Sequence, residues 1–108
     1  MGARAQVKIA DTGTFLYTHW GSGEITEDVR KALSRRQRWG DPEYLTRIIF
    51  DQMVGSQQGT ETGFGIGTSQ HGDIDILIEV NCKDRTIAEI DPYSNRTRIT
   101  KFEKFIDE

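Results

Sequence analysis

Trp39-Gly40-Asp41-Pro42-Glu43-Tyr44-Leu45-Thr46-Arg47-Ile48-Ile49-Phe50-Asp51-Gln52-Met53-Val54-Gly55 carries its own start, stop and buried face. Asp41 is an N-cap whose carboxylate can take the free amide protons of the first turn, and Pro42 stands at the first helical position, where its missing N–H costs nothing. Gly55 closes the helix. Leu45, Ile48, Ile49, Gln52 and Met53 fall along one stripe at helical spacing and Phe50 and Val54 widen it, while Glu43, Thr46, Arg47 and Asp51 lie on the other side. With about 14 residues at roughly 1.5 Å each, the helix spans about 20 Å and can cross a small sheet once. So apolar a face must be covered, and the flanking sequence supplies the cover.

Upstream, Ile25, Val29, Ala32 and Leu33, with Arg36 by its stem, form a narrower apolar stripe, and Arg30, Lys31, Ser34, Arg35 and Arg38 face outward. Thr26 is read as the cap of this surface helix, with Glu27 and Asp28 placed where the macrodipole favours negative charge. Gly40 is suited to the left-handed conformation that ends a helix, so the two helices are expected to meet at a sharp corner with Trp39 at the joint. Before them, Gln6-Val7-Lys8-Ile9-Ala10, the turn Asp11-Thr12-Gly13 and the aromatic run Thr14-Phe15-Leu16-Tyr17-Thr18-His19-Trp20 read as a hairpin. Large side chains at both parities of the second strand predict cover on two sides.

Downstream, Thr62-Gly63-Phe64-Gly65-Ile66-Gly67-Thr68 alternates so that an extended chain would leave one face bare at the glycines, and something is expected to lie close against that face. Ile74, Ile76, Ile78 and Val80 then point one way into the core, residues 85–90 form the next strand, and 96–102 read as an edge strand with Phe105 and Ile106 as a C-terminal anchor. The order is ββααβββ with a further β. The predicted fold class is α+β, an antiparallel sheet of about five strands with two helices packed on one face.

At 108 residues the chain is read as a single domain, residues 1–108, able to bury one core without disulfides or metal. The one cysteine, Cys82, has no internal partner, which fits an intracellular setting. Neither a signal core nor an apolar run long enough for a membrane is present, and Gln6 stands where a myristoylation signal wants Ser or Thr. A cytoplasmic protein without membrane contact is the expectation. The net charge of −3 is unevenly spread: residues 27–40 hold five basic and two acidic side chains, residues 73–91 six acidic and two basic. A mildly acidic whole argues against general nucleic-acid binding, yet a local basic patch can hold a phosphate-rich ligand or an acidic partner.

The strings Phe15-Leu16-Tyr17-Thr18-His19-Trp20-Gly21, Ala32-Leu33 with Arg36 and Arg38-Trp39, Asp41 to Phe50, and Glu61-Thr62-Gly63-Phe64-Gly65-Ile66 cover about the first two thirds of the chain. Together they resemble a scattered family of short uncharacterised prokaryotic and phage-encoded proteins. The resemblance carries no chemistry. It implies a compact stand-alone protein, of the accessory kind found on phages and mobile elements.

The candidate binding residues are Arg35, Arg36, Arg38, Trp39, His19, Trp20, Gly63 and Gly65. Arg35-Arg36-Gln37-Arg38-Trp39 is the most suggestive surface, since guanidinium groups beside an aromatic ring grip phosphates or carboxylates and can stack a base. The same residues also serve a plainer purpose, a basic last turn complementing the helix and a Trp plugging the joint. Gly63, Gly65 and Gly67 lack the Lys-Ser/Thr and the strand-turn-helix context of a phosphate loop, although a ligand cleft over them, walled by Tyr17 or Trp20, is a further reading. His71, Asp73 and Asp75, with His19 or Asp11, do not have a metal-ligand spacing, and His19 has no recognisable nucleophile beside it. Neither a catalytic residue nor a metal or cofactor is assigned. The favoured function is a small non-catalytic binding protein acting on a protein partner. The alternative is a nucleic-acid- or nucleotide-binding module using residues 35–39, and a small enzyme using His19 comes third.

Overall fold

The computed structural model describes residues 3–61 and 63–108. Met1 and Gly2, read above for a lipidation signal, and Thr62 of the glycine run lie outside the described residues. Six strands form one sheet: β1 (Ala5–Ile9), β2 (Thr14–Thr18), β3 (Phe64–Gly67), β4 (Ile76–Asn81), β5 (Thr86–Asp91) and β6 (Arg96–Lys101), in the spatial order β3-β2-β1-β4-β5-β6. Three helices complete the fold, α1 (Ile25–Ser34), α2 (Pro42–Val54) and α3 (Phe102–Ile106), with a 3-10 turn at Gly55–Gln57. The class is α+β. The sheet is mixed rather than antiparallel, because β1 and β4 run parallel, with Val7 opposite Ile78.

Cap chemistry decides the helix boundaries. Asp41 accepts from the Tyr44 N–H, Pro42 is the first residue of α2, and Gly55 ends it at φ 55°. Leu45, Ile48, Ile49 and Met53 are buried, and they meet Ile25, Val29, Ala32 and Leu33 of α1 over Ala5, Val7, Ile9, Leu16, Ile78, Val80 and Ile87 of the sheet. That is the main core. Thr26 is not the cap of α1: the helix begins at Ile25, two residues earlier than a Thr26 cap implies, and no side-chain hydrogen bond caps it, leaving Glu27 to complement its first turn. Strand β6 stops at Lys101 because Phe102 turns inward to start α3, whose Phe102 and Phe105 are buried in the same core.

The parallel pairing follows from where β3 goes. It adds to the outer edge of β2, with Tyr17 opposite Gly65, so the chain must return across two strands to reach the free edge of β1. Residues 68–75 make that crossing on the face away from α1 and α2. Gln6, only 1% exposed, holds them there: its amide nitrogen donates to the Ser69 carbonyl at 3.1 Å and its amide oxygen accepts from the His71 N–H at 2.9 Å. The Asp75 N–H donates to the Arg4 carbonyl at 2.7 Å and delivers the chain into β4. Ile74 seals the crossing against Phe15 and Leu77 in a second, smaller apolar cluster. Along β3, by contrast, the face at Gly65 and Gly67 is bare, for nothing lies within 4 Å of where side chains there would begin.

Replacing Gln6 by Leu leaves the Ser69 carbonyl and the His71 N–H without their partner and should lower stability by about 2 kcal/mol. Urea unfolding of the two proteins measures this. A difference below about 0.5 kcal/mol, within the range of ordinary surface substitutions, would mean that Ile74 alone holds the crossing.

Candidate functional site

Helix α1 ends in two successive turn-type backbone bonds, Arg35 N–H to the Ala32 carbonyl at 3.3 Å and Arg36 N–H to the Leu33 carbonyl at 2.9 Å. Two left-handed residues then make the corner, Arg36 at φ 54° and Arg38 at φ 59°. The left-handed conformation expected of Gly40 falls on these arginines instead. Trp39 is 8% exposed; its indole N–H donates to the Leu33 carbonyl at 3.0 Å, and its ring meets Phe102 edge to face at 5.3 Å. It is the plug of the joint.

Around that plug the structure gathers Arg35, Arg36 and Arg38, and adds residues the sequence did not single out. The Arg36 guanidinium lies over the Trp39 ring at 5.5 Å, Arg85 lies over it at 5.9 Å, and Arg38 lies over Tyr44 at 4.5 Å. Arg35 donates to the Gln52 amide oxygen at 2.9 Å, so the most polar position of the α2 stripe serves the corner. Arg85 is a third left-handed arginine, at φ 56°. Its turn is fixed by Asp11, whose carboxylate accepts from the N–H groups of Cys82 at 2.8 Å and Lys83 at 3.1 Å. A groove of about 400 Å³ opens between the corner and this turn, lined by Trp39, Lys83, Asp84, Arg85, Lys101, Phe102 and Glu103. The only sequence signal for Arg85 and Lys83 was two cations in a stretch otherwise rich in acids.

The cations divide into two groups. Arg4, Lys8, Arg30, Arg47 and Arg98 each have a carboxylate partner. Among the described residues no ion pair involves Arg35, Arg36, Arg38, Lys83, Arg85 or Lys101, nor Lys31, Arg96 or Lys104 elsewhere on the surface. The left-handed conformation is unfavourable by roughly 1–2 kcal/mol for a residue with a side chain and free for glycine. At three arginines around one tryptophan, the backbone is therefore held in a form that another residue would adopt with less strain.

His19, Trp20, Gly63 and Gly65 lie elsewhere, at the β2–β3 end of the sheet. Arg4 Nε donates to His19 Nδ1 at 3.2 Å and the Tyr17 hydroxyl lies 3.1 Å from the same nitrogen. Because Arg4 can only donate, Nδ1 is the acceptor and the ring's proton sits on Nε2. His71 lies on the other side of Tyr17, ring centroids 4.7 Å apart, so the fold does bring the two histidines to one aromatic residue. Trp20 is 59% exposed and covers Gly63 so closely that a Cβ there would stand 2.7 Å from its ring. Gly63 is thus the one glycine of the series with a side chain against it. Among the described residues, no three His, Cys, Asp or Glu side chains converge as a metal-binding group. No helix among them is long and apolar enough to cross a membrane.

The buried Cys82 and the half-buried Asp28 have shifted pKa values. Burial, followed by the charge of Asp11, pushes the Cys82 thiol up to about 12. It should resist thiol reagents at pH 8 in the folded protein and react within minutes in denaturant; rapid labelling of the native chain would contradict this environment. Burial and then Glu24 raise Asp28 to about 6, above its unfolded value of 3.8. The folded state therefore holds this proton more tightly, and the associated stability is present below pH 4 and lost as the pH rises through 6. Asp28→Asn should be more stable than wild type by about 1 kcal/mol at pH 7, a figure discounted for the carboxylate's partial solvation. The difference should vanish near pH 4 in paired unfolding curves, and one that grew toward acid pH would reverse the assignment.

No protein-family model matches the chain, no curated protein matches it, and no solved structure matches it. The chemistry of the corner is the ground on which function has to be argued.

Proposed function

We propose that this protein is a non-catalytic binding protein that docks onto an acidic surface of a partner protein through Arg35, Arg36 and Arg38 around Trp39. The observation that carries the reading is that Arg36 and Arg38 occupy left-handed positions without any carboxylate partner among the described residues. Residues held in unfavourable backbone conformations cluster where function needs the side chain, and glycine or asparagine would otherwise suit such a corner better. Guanidinium groups laid over Trp39 and Tyr44 are pre-oriented, so less side-chain freedom is lost when they pair with carboxylates.

Nucleic acid is the second reading, supported by the same cations. It is disfavoured by the net charge of −3 and by Trp39, whose N–H is bonded to Leu33 and whose ring carries two guanidinium groups, so that it offers no platform for a base.

The double variant Arg36→Gly/Arg38→Gly separates function from fold. It should unfold within about 1 kcal/mol of wild type, or above it, because glycine relaxes both positions. It should nevertheless lose a partner that the wild type captures from nuclease-treated host lysate. Capture by the wild type should weaken as salt rises from about 0.05 to 0.5 M, because the screening length falls from about 14 Å to about 4 Å. Partner loss on nuclease treatment would favour nucleic acid, and equal recovery by both proteins would end the reading.

A further inference from the structure

The groove beside the corner has a chemistry of its own. Lys83, Arg85 and Lys101 line it, and Arg36 reaches the Trp39 ring that forms one wall. None of the four is in an ion pair among the described residues, and the Lys101 ammonium instead donates to the Asp84 carbonyl at 3.2 Å. Two carboxylates share the lining, Asp84 and Glu103. The Asp84 carboxylate accepts from the Asn81 amide at 3.3 Å, and Glu103 lies in the first turn of α3. Three cations against two anions in the lining leave an excess of positive charge beside the apolar surfaces of Trp39 and Phe102, where the lower local dielectric strengthens attraction for an incoming anion. The groove is open to solvent, and its volume of about 400 Å³ has room for a small anion.

We infer that this groove binds a small ligand through two linked phosphate groups, held by Arg85 beside the Trp39 wall and by Lys83 and Lys101 along the rest of the lining. The inference rests on the reading of the arginine corner as the working surface, with which it shares the Trp39 wall. Linked phosphates carry several negative charges that more than one cation can share, and guanidinium groups pair with phosphate oxygens through two parallel bonds. The recognised part is the phosphates and not a base, since both guanidinium groups already lie over the indole. Arg85 stands in a left-handed position that its turn would hold more easily with glycine, which is the second arginine site where the backbone gives way to the side chain.

The chain has two tryptophans, so Trp20→Phe leaves Trp39 as the only one. In that background, inorganic pyrophosphate at constant ionic strength should change Trp39 fluorescence saturably and give a matching heat of binding by calorimetry. ADP should bind within a few-fold of pyrophosphate, adenosine should not bind, and sulfate should be far weaker. Much tighter binding of ADP than of pyrophosphate would mean that the base is read and would overturn the assignment to phosphates. Arg85→Ala, and separately Lys83→Ala/Lys101→Ala, should weaken pyrophosphate at least tenfold, and Lys101→Arg should retain it. Neither heat nor a fluorescence change at millimolar pyrophosphate, or equal affinity in the lysine variant, would overturn the site. Partner capture by Lys83→Ala/Lys101→Ala keeps the two proposals apart: capture retained in a protein that does not bind pyrophosphate leaves the docking corner standing alone. Pyrophosphate binding retained in Arg36→Gly/Arg38→Gly without any partner capture leaves the groove standing alone.

Discussion

Gln6 bridges Ser69 and His71 from a position almost sealed from solvent, and the order of the sheet depends on those two hydrogen bonds. A glutamine side chain buried on a strand must spend both ends of its amide, because an unpaired end costs the whole desolvation of that group. Here both ends go to one returning loop. The loop is thereby laid over β1, and β4 is delivered to the edge of β1 in the parallel sense. Everything beyond β4 follows as a meander, each strand antiparallel to the last. Because β4 runs beside β1 and in the same direction, its turn into β5 emerges next to the turn that leaves β1, where the Asp11 carboxylate binds the N–H groups of Cys82 and Lys83. A local polar pair on one face of the sheet thus decides which loop stands beside the helix corner at its end.

The parts of this arrangement that could be read in the sequence are those whose cause is local. Asp41-Pro42 and Gly55 fix α2 by capping chemistry confined to a few residues, and the apolar spacing of Leu45, Ile48, Ile49 and Met53 gives its buried face without reference to anything distant. The same holds for Trp39 as a plug and for the alternation of Ile76, Ile78 and Val80. The parallel pairing was not legible, for it is set by Gln6 acting across more than sixty residues, and an isolated glutamine between Ala5 and Val7 has the look of an ordinary solvent-facing position. The cover expected over the glycines is met at Gly63, against which the Trp20 ring lies, and is absent at Gly65 and Gly67 for a related reason. A bare strand face needs a neighbour only if it is buried, and β3 is an edge strand whose glycine side faces open space. At the corner, the basic run was visible, but Arg85 joins it only through the sheet order, so the groove had no signature along the chain.

Backbone strain and charge meet in the same place. A helix-to-helix corner made with Gly40 in the left-handed conformation would have been the relaxed solution, and the glycine is present, yet the positive φ values fall on Arg36 and Arg38. The reason lies in the neighbouring packing. Trp39 must reach Leu33 with its N–H and Phe102 with its ring edge, and only a reversal immediately before and after Gln37 turns it back under the end of α1. The two reversing residues consequently stand on the outside, where long charged side chains are tolerated and can lie over Trp39 and Tyr44. Burial of the tryptophan and display of the arginines are two results of one backbone path.

That coupling bears on how the corner works electrostatically. Like charges held together raise the energy of the folded state unless carboxylates or ligands neutralise them, and elsewhere in the chain carboxylates do so: Arg98 lies between Glu89 and Glu108, and Arg30 between Glu27 and Glu108. The acids of the β4–β5 region are not directed at the corner. Asp11 is spent on backbone N–H groups and Asp84 on Asn81. Hydrogen-bonding the nearest carboxylates to backbone and amide leaves the guanidinium groups of Arg36, Arg38 and Arg85 with only aromatic faces for support. Cation–π contact of about 0.5–1 kcal/mol at an exposed site orients a guanidinium without neutralising it, which leaves its full charge for whatever arrives. An arginine tied to a resident carboxylate would have to break that pair before meeting a partner. One resting on a ring can add an anion and keep its place.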